Sequence, residues 1–441
     1  MEVTLAQMLE AREARAFRQF QLNREWKLPI ISFSMNIPGP VKYSPLIAGG
    51  FRQGCQVLEE RLPEGLIRHQ EKTETVTGCE ALYVVDMAPE AVKAITTQIE
   101  DTHPLGRLFD MDVLDGSLSK LDREAFGGGD RSCVVCGAPG RGCASRRAHS
   151  VEQLQRAVQK ILLSHFVAET AVRSLLEEVH TTPKPGLVDE RNTGSHKDMD
   201  LHTFTVSAHA LAPYFHACVT AGMDSAHLPP AETFAVLRKA GVQAEKDMLA
   251  ATSGVNTHKG AIFTMGTLCG AAGRLWKPEG GWREADILRE ASAMTRDAME
   301  RDILSMAGNT SGERLYASLG IRGIRGEVSD GLPSVSNTAL PVYRRYLKEG
   351  RSRNDAGALT LLHLIAQVED TCLIHRGGPE GAREAVQKVN QLLRTGPSIS
   401  QMEALDDWFI QRNLSPGGCA DLLAAAYFMD SLCKENEVGL L

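Results

Sequence analysis

The sequence predicts a two-part chain, an α+β segment over residues 1–150 followed by an all-α segment over residues 151–441. Three observations lead there. A length of 441 residues exceeds what one hydrophobic core usually supports, at roughly 150 residues per domain. Short β-rich runs alternate with helical periods in the first third, whereas from Val151 onwards apolar residues recur at helical spacing. A Gly- and Arg-rich stretch over residues 127–148 separates the two textures and places the seam near Ser150.

In the first segment an amphipathic helix opens the chain from Val3 to about Leu22. IISFSM from Ile30 and ALYVVDM from Ala81 read as strands, and APEAVKAITTQIE from Ala88 reads as a helix. Gly49 and Gly50 read as a break between elements. In the second segment a long helix begins at Val151. PAETFAVLRKAGVQAEKDMLAA, READILREASAMTRDAMERDILSM, AGALTLLHLIAQVEDTCLI and GCADLLAAAYFMDSLC continue the helical habit.

Composition narrows the function classes. A formal charge of −7 argues against a protein that coats nucleic acid, which needs surplus Lys and Arg over a broad face. No stretch reaches the ~20 apolar residues of a membrane span, and the charged, helical start does not read as a signal peptide. The expected location is therefore the cytoplasm, with the ten cysteines reduced. Cys133, Cys136 and Cys143 stand apart because they cluster.

Two groupings in the first segment carry chemistry. GRLFDMDVLDG places Asp110 and Asp112 two apart in a strand, so both carboxylates share one face. Such a pair suits a magnesium ion shared with substrate phosphates, with Arg107 nearby to meet phosphate charge; the alternative is a solvated edge strand. Cys133, Cys136, Cys143 and His149 offer three thiols and an imidazole in one short loop, enough to close a tetrahedral zinc site. The alternative is a set of reduced, unmetallated cysteines, and the arginines around them can hold pyrophosphate or an acidic partner.

The second segment interrupts its helices with polar, Gly-punctuated stretches. TTPKPGLVDERNTGSHKDMDLHTF brings Lys184, Asn192, Ser195, His196, Lys197, Asp198 and Asp200, and its prolines forbid a continuing helix. SGVNTHKGAIFTMG brings Asn256, Thr257, His258, Lys259 and Gly260 to the start of an apolar helix, where backbone N–H groups and a lysine can hold phosphate. AGNTSGERLYASLGIRGIRGEVSDGLPSV brings Glu313, Arg314 and Arg325, and VEDTCLIHRGG ends a helix in His375, Arg376 and a glycine pair. Arginines of this kind bind polyphosphate through paired N–H donors.

These stretches resemble the triphosphoribosyl-dephospho-CoA synthase family through TPKPGLVDERNTGSHKDMDLHTF, GVNTHKGAIFTMG, NTSGERLY with GIRGEVSDGLPSV, and DTCLIHRGG, from about Ile161 to the C-terminus. The first segment resembles the apo-citrate lyase phosphoribosyl-dephospho-CoA transferase family through GRLFDMDVLDG and RSCVVCGAPGRGCASRRAHSVEQL. Together they resemble the fused, bifunctional form of the two enzymes. The resemblance implies that the second segment joins the ribose of ATP to the 2′-hydroxyl of 3′-dephospho-CoA with loss of adenine. It implies that the first then transfers the phosphoribosyl-dephospho-CoA group to a serine of the citrate lyase acyl carrier (γ) subunit with loss of pyrophosphate. Asp198, Asp200 and Glu313 are then expected at the metal and the ribose C1, and His196 or His258 at the proton. Lys184, Lys197, Lys259, Arg314 and Arg325 are expected at phosphates, joined as binding residues by Asn192, Ser195, Asn256, Thr257, Gly260 and Arg376. Asp110 and Asp112 would hold magnesium while Arg107 steadies the transferred phosphate. The rival readings are the same chemistry serving a malonate decarboxylase carrier, and a single-activity synthase whose first segment is a zinc-stabilised adaptor that docks the carrier.

Overall fold

The computed structural model describes residues 2–124, 129, 131–277, 281–304, 316–317 and 320–437. They form two compact units, the first ending at His165 and the second running from Phe166 to Glu437. The division falls inside the helix Val151–His180, past the expected seam at Ser150, because the glycine-rich stretch before it folds into the first unit.

The first unit runs α1 (Leu5–Trp26), β1 (Ile30–Met35), α2 (Pro45–Arg61), β2 (Ile67–Thr75), β3 (Gly78–Val85), α3 (Pro89–Thr102), β4 (Phe109–Leu114) and α4 (Gly140–Arg146), then the first half of α5 (Val151–His180). Thr4 and Gln7 close a reciprocal cap at the start of α1, satisfying N–H groups that have no partner within the helix. The four strands form an antiparallel sheet in the order β2-β3-β1-β4. Strand alternation sends Phe33, Tyr83, Phe109, Met111 and Val113 to one fully buried face. On the other face Leu22 of α1 packs with Ile30, Leu82 and Val84. Farther along, that face turns polar, where Arg15 of α1 meets Glu80 at 3.1 Å and Gln19 donates to Ser32 Oγ at 2.9 Å.

Two features of this unit depart from the pattern expected. Gly49 and Gly50 lie inside α2, because burial against the sheet outweighs the roughly 1 kcal/mol that glycine costs a helix. Strand β2 carries IRHQEKTET, which is too polar to stand out, and it pairs only at the sheet edge, where both of its faces are largely solvated.

The second unit is helical: the rest of α5, α6 (Leu201–Ala210), α7 (Ala212–Asp224), α8 (Pro230–Ala251), α9 (Lys259–Leu275), α10 (Glu284–Leu304), α11 (Gly323–Ser329), α12 (Leu340–Lys348), α13 (Arg353–Gln367), α14 (Thr371–Thr395), α15 (Ile399–Gln411) and α16 (Gly417–Glu437). Helix α9 is central and buried along most of its length. Its glycines permit that position: a Cβ on Gly273 would strike the Val219 carbonyl of α7, and one on Gly222 of α7 would strike the Gly270 carbonyl. Among the described residues no single helix is long and apolar enough to cross a membrane.

The segment VEDTCLIHRGG does not end a helix as expected. Helix α13 stops at Gln367, and Asp370 starts α14 by accepting the N–H groups of Cys372 at 2.8 Å and Leu373 at 3.0 Å. His375 and Arg376 therefore lie in the opening turns of a helix, upstream of a kink at Gly378 and Pro379.

The long loop between α5 and α6 is held by carboxylates. Asp406 of α15, fully buried, accepts the Gly186 N–H at 2.9 Å, Asn192 Nδ2 at 2.8 Å and Arg191 Nη1 at 2.7 Å. Asp189 caps the loop from within, accepting the N–H groups of Lys184, Arg191 and Asn192. Removing Asp406 leaves a backbone N–H and a guanidinium without their acceptor. Asp406→Ala should cost about 3 kcal/mol and lower the thermal midpoint by several degrees, with Asp406→Asn milder because one acceptor survives. An Ala variant that melts within a degree of the parent would show that the loop is held by other means.

Candidate active sites

The second unit encloses a cavity of about 460 Å³, within the range of small-molecule sites. Lys184 to His196 bring the first polar segment to its wall, Asn256 to Gly260 the second, Ile324 the third, and Thr371 to Arg376 the fourth. Separated by up to two hundred residues in sequence, all four converge because α9, α14 and the loop after α5 abut the same side of α16. Glu313 and Arg314 lie outside the described residues.

The lining mixes charged and apolar side chains. Lys184, fully buried, donates to Glu178 Oε1 at 2.5 Å and to the Glu178 carbonyl at 2.7 Å, which leaves one ammonium proton uncommitted by these bonds. Helix α9 enters the cavity with no side-chain cap, so the amides of its first turn have no intrahelical partner. Gly417 and Gly418 bring the start of α16 to the same wall. The uncapped start of α9 favours anions through its free N–H groups and aligned peptide dipoles, whereas at the start of α16 the Cys419 N–H is taken by Asp370 at 2.8 Å. Leu175, Leu187, Val188, Phe204 and Ala424 form the apolar part.

Both histidines expected to move a proton line this cavity, and both are neutral rings. Burial and the Arg376 charge draw His196 down to about 4, and Arg376 donates to its Nδ1 at 3.1 Å while Nε2 faces Ser415 Oγ at 3.0 Å. With both nitrogens engaged, His196 fixes Arg376 in place. Burial and the Lys184 charge draw His258 down to about 3. Thr257 donates to Ser207 Oγ at 2.6 Å, and Ser207 Oγ lies 2.7 Å from His258 Nδ1. That chain leaves the ring proton on Nε2, which is buried and has no partner among the described residues.

Other expected residues sit elsewhere. Asn192 is bonded to Asp406 and Ser195 to the Leu414 carbonyl at 2.6 Å, so both shape the loop rather than face the cavity. Arg376 lines the cavity but is also engaged with the Ser195 carbonyl and Asn413. Lys259 lines it while pairing with Glu245 at 2.9 Å. Lys197, Asp198 and Asp200 are exposed and outside the lining, and Asp200 instead caps α6 by accepting the Thr203 N–H at 2.8 Å. Arg325, half-buried on α11, is also outside it. Glu178 and Asp421 were not expected: each sits among apolar residues on a long helix and lines the cavity.

In the first unit Asp110 and Asp112 share one face of the edge strand β4, opposite Ser34 and Ser32 of β1. Burial and the charge of Asp112 push the Asp110 carboxyl up, and Asp112 is paired with Lys120 at 2.7 Å. Two crowded carboxylates fit a divalent cation, which relieves their repulsion, although Lys120 already shields one of them. Arg107 points elsewhere. It donates to the Ser132 carbonyl and lines a cavity of about 510 Å³ with Asn36, Arg147 and His149.

The thiols of Cys133, Cys136 and Cys143 and a ring nitrogen of His149 all lie within 4.8 Å of one another. A turn folds Cys136 back, with the Cys133 N–H bonded to the Ala138 carbonyl at 2.7 Å and the Gly137 N–H to the Cys133 carbonyl at 3.0 Å. Burial opposes ionisation of Cys133, but the N–H groups of Cys136 and Val135 and the two neighbouring thiols outweigh it and bring the thiol down to about 7. His149 Nε2 is buried without a partner. Three thiols and an orphaned imidazole make a donor set that fits a metal ion.

Comparison with known proteins divides the chain at the same point as its fold. Residues 3–165 match the family model of the apo-citrate lyase phosphoribosyl-dephospho-CoA transferase, and residues 164–439 match that of the ATP:dephospho-CoA triphosphoribosyl transferase. Protein CitXG of Haemophilus influenzae is 33% identical over 97% of this chain and 96% of its own length. Protein CitXG of Leuconostoc mesenteroides subsp. cremoris is 33% identical over 98% and 97%. The 2-(5''-triphosphoribosyl)-3'-dephosphocoenzyme-A synthase of Klebsiella pneumoniae is 40% identical over 62% of this chain and 92% of its own length. With both family models matched in order and fused relatives aligned from end to end, the chain belongs to the bifunctional CitXG family, an enzyme with triphosphoribosyl-dephospho-CoA synthase and apo-citrate lyase phosphoribosyl-dephospho-CoA transferase activities.

Proposed function

We propose that the helical unit joins ATP to 3′-dephospho-CoA with release of adenine, and that the α+β unit passes the phosphoribosyl-dephospho-CoA group to a serine of the citrate lyase acyl carrier (γ) subunit with release of pyrophosphate. The convergence of four separated polar segments on one cavity carries the first half of this reading. The triphosphate lies against the uncapped start of α9, Lys259 and the remaining proton of Lys184. Asn256 and Thr257 border it, and His258 Nε2–H is a donor towards the bound nucleotide. The purine packs against the apolar side chains of the lining. Lys197, Asp198 and Asp200 are exposed and outside the lining, although His196 and Met199 beside them belong to it.

In the first unit Asp110 and Asp112 are the residues that would hold Mg2+, which when bound neutralises the departing pyrophosphate. Arg107 and Arg147 supply positive charge on the wall of the cavity of about 510 Å³. Cys133, Cys136, Cys143 and His149 would hold Zn2+ as a closed structural set, fixing the loop whose Ser132 carbonyl orients Arg107. A cytoplasmic location is part of this reading, supported by the nucleotide substrates and by the free cysteines. The match of residues 3–165 to the citrate lyase transferase family favours a citrate lyase carrier over that of malonate decarboxylase, and a transferase over a docking adaptor.

Incubation with ATP and 3′-dephospho-CoA should release free adenine in step with a triphosphoribosylated product, and chromatography that finds neither would refute the synthase reading. Asp110→Asn should slow labelling of the carrier at least 100-fold and leave adenine release untouched; equal labelling would remove Asp110 from the site. Elemental analysis should find one zinc per chain, lost in Cys143→Ser together with thermal stability of the first unit. A metal-free wild type with three titratable thiols in this loop would exclude the zinc site.

A further inference from the structure

The carboxylates around the helical unit's cavity differ in how they are engaged. Glu178 is occupied by Lys184 at 2.5 Å. Asp370, buried beneath the cavity, accepts the N–H groups of Cys372, Leu373 and Cys419 and has no free oxygen. Asp421, on the second turn of α16, lines the cavity and makes no hydrogen bond or ion pair among the described residues. Its oxygen lies so close to Gly260 that a Cβ there would collide with it, which sets the carboxyl beside the uncapped start of α9. One turn on along α16 from Asp421 comes Ala424, an apolar residue of the same lining.

A second unsatisfied group points to the same ligand. His258, nine-tenths buried or more, offers an unpartnered Nε2–H at this wall, directed by the relay from Thr257 through Ser207. A buried donor is seldom left without a partner unless a ligand completes it, and the half-buried Asp421 belongs to the same lining.

We propose that Asp421 is the catalytic acid of the synthase reaction, giving its proton to a ring nitrogen of the departing adenine. This rests on the reading of the cavity as the site of ATP and dephospho-CoA. The bond between the ribose C1 and purine N9 breaks with its electron pair going to the purine, which takes the proton from Asp421 and leaves as neutral adenine. The bond from C1 to the 2′-oxygen of dephospho-CoA forms, and the proton of that hydroxyl passes to water, from which Asp421 is reprotonated. Burial, with the charges of Glu178 and Asp370, pushes the Asp421 carboxyl well above the usual range, the direction a proton donor needs. Of the three histidines that line the cavity, His196 and His258 do not compete for the role, since both rings are neutral.

The test compares two nucleotides in the full chain. Asp421→Asn and Asp421→Ala are assayed for base release from ATP and from N7-methylated ATP, whose purine leaves uncharged without needing a proton. The expected result is a loss on the order of 100-fold or more in kcat with ATP, with KM little changed, and a loss below tenfold with the methylated nucleotide. Activity on the methylated nucleotide also reports that the variant is folded. Equal losses on both nucleotides, in whichever variant keeps the wild-type melting temperature, would overturn the proposal and leave Asp421 a binding or metal-holding group. Wild-type rates with ATP in either variant would overturn it outright. If the wild-type chain releases no adenine from ATP and dephospho-CoA, the reading of the cavity itself fails.

Discussion

The second unit depends on one buried carboxylate, Asp406, and the loop it holds. The chain from Thr181 to Asp200 carries too few apolar residues to bury itself, and its backbone amides have neither helix nor sheet to pair with. Asp406 accepts from a backbone N–H, an amide and a guanidinium at once, so a segment that would otherwise be solvated is fixed against α15. Lys184 and His196 reach the cavity only because of this. A buried lysine beside its glutamate and a histidine clamped between Arg376 and Ser415 both presuppose a loop that does not move.

The same logic explains why several motif residues do not touch the cavity. Asn192 and Ser195 belong to a dense polar segment, and density of polar side chains reads as a binding site when only the sequence is in view. In the fold that density is internal: Asn192 satisfies Asp406, Ser195 satisfies the Leu414 carbonyl, and Asp200 caps a helix. Motif membership and ligand contact are separate properties. A loop that must hold one lysine and one histidine in place needs several polar residues whose partners are other parts of the protein.

Much of the architecture was legible for a definite reason. Helical periodicity over α8, α10, α13 and α16 is long and regular, and period-two alternation in FDMDVL put Asp110 and Asp112 on one face, as the register with Ser34 and Ser32 bears out. The clustering of Cys133, Cys136, Cys143 and His149 followed from spacing alone, since a seventeen-residue span with a tight turn leaves few ways to separate them. What escaped was either weakly patterned or contrary to local preference. Strand β2 has no apolar face, α2 runs through two glycines, and the break at Val368 falls in an apolar run that only the Asp370 cap reveals.

Glu178 and Asp421 escaped for a deeper reason. Each falls in an apolar stretch of its helix, a pattern that sequence periodicity treats as noise or as a solvent-facing position. Only the packing of α5 against the loop, and of α16 against α9, turns those positions inwards. Surface motifs can bind a charged substrate with exposed lysines and helix starts, because attraction to phosphate works at some distance. Severing a ribose from its base requires a proton donor in a dry place, and a dry place is made by helices whose sequences look like core. The binding end of such a site is therefore expected in conspicuous loops, while its acid is expected in helices whose periodicity shows nothing unusual.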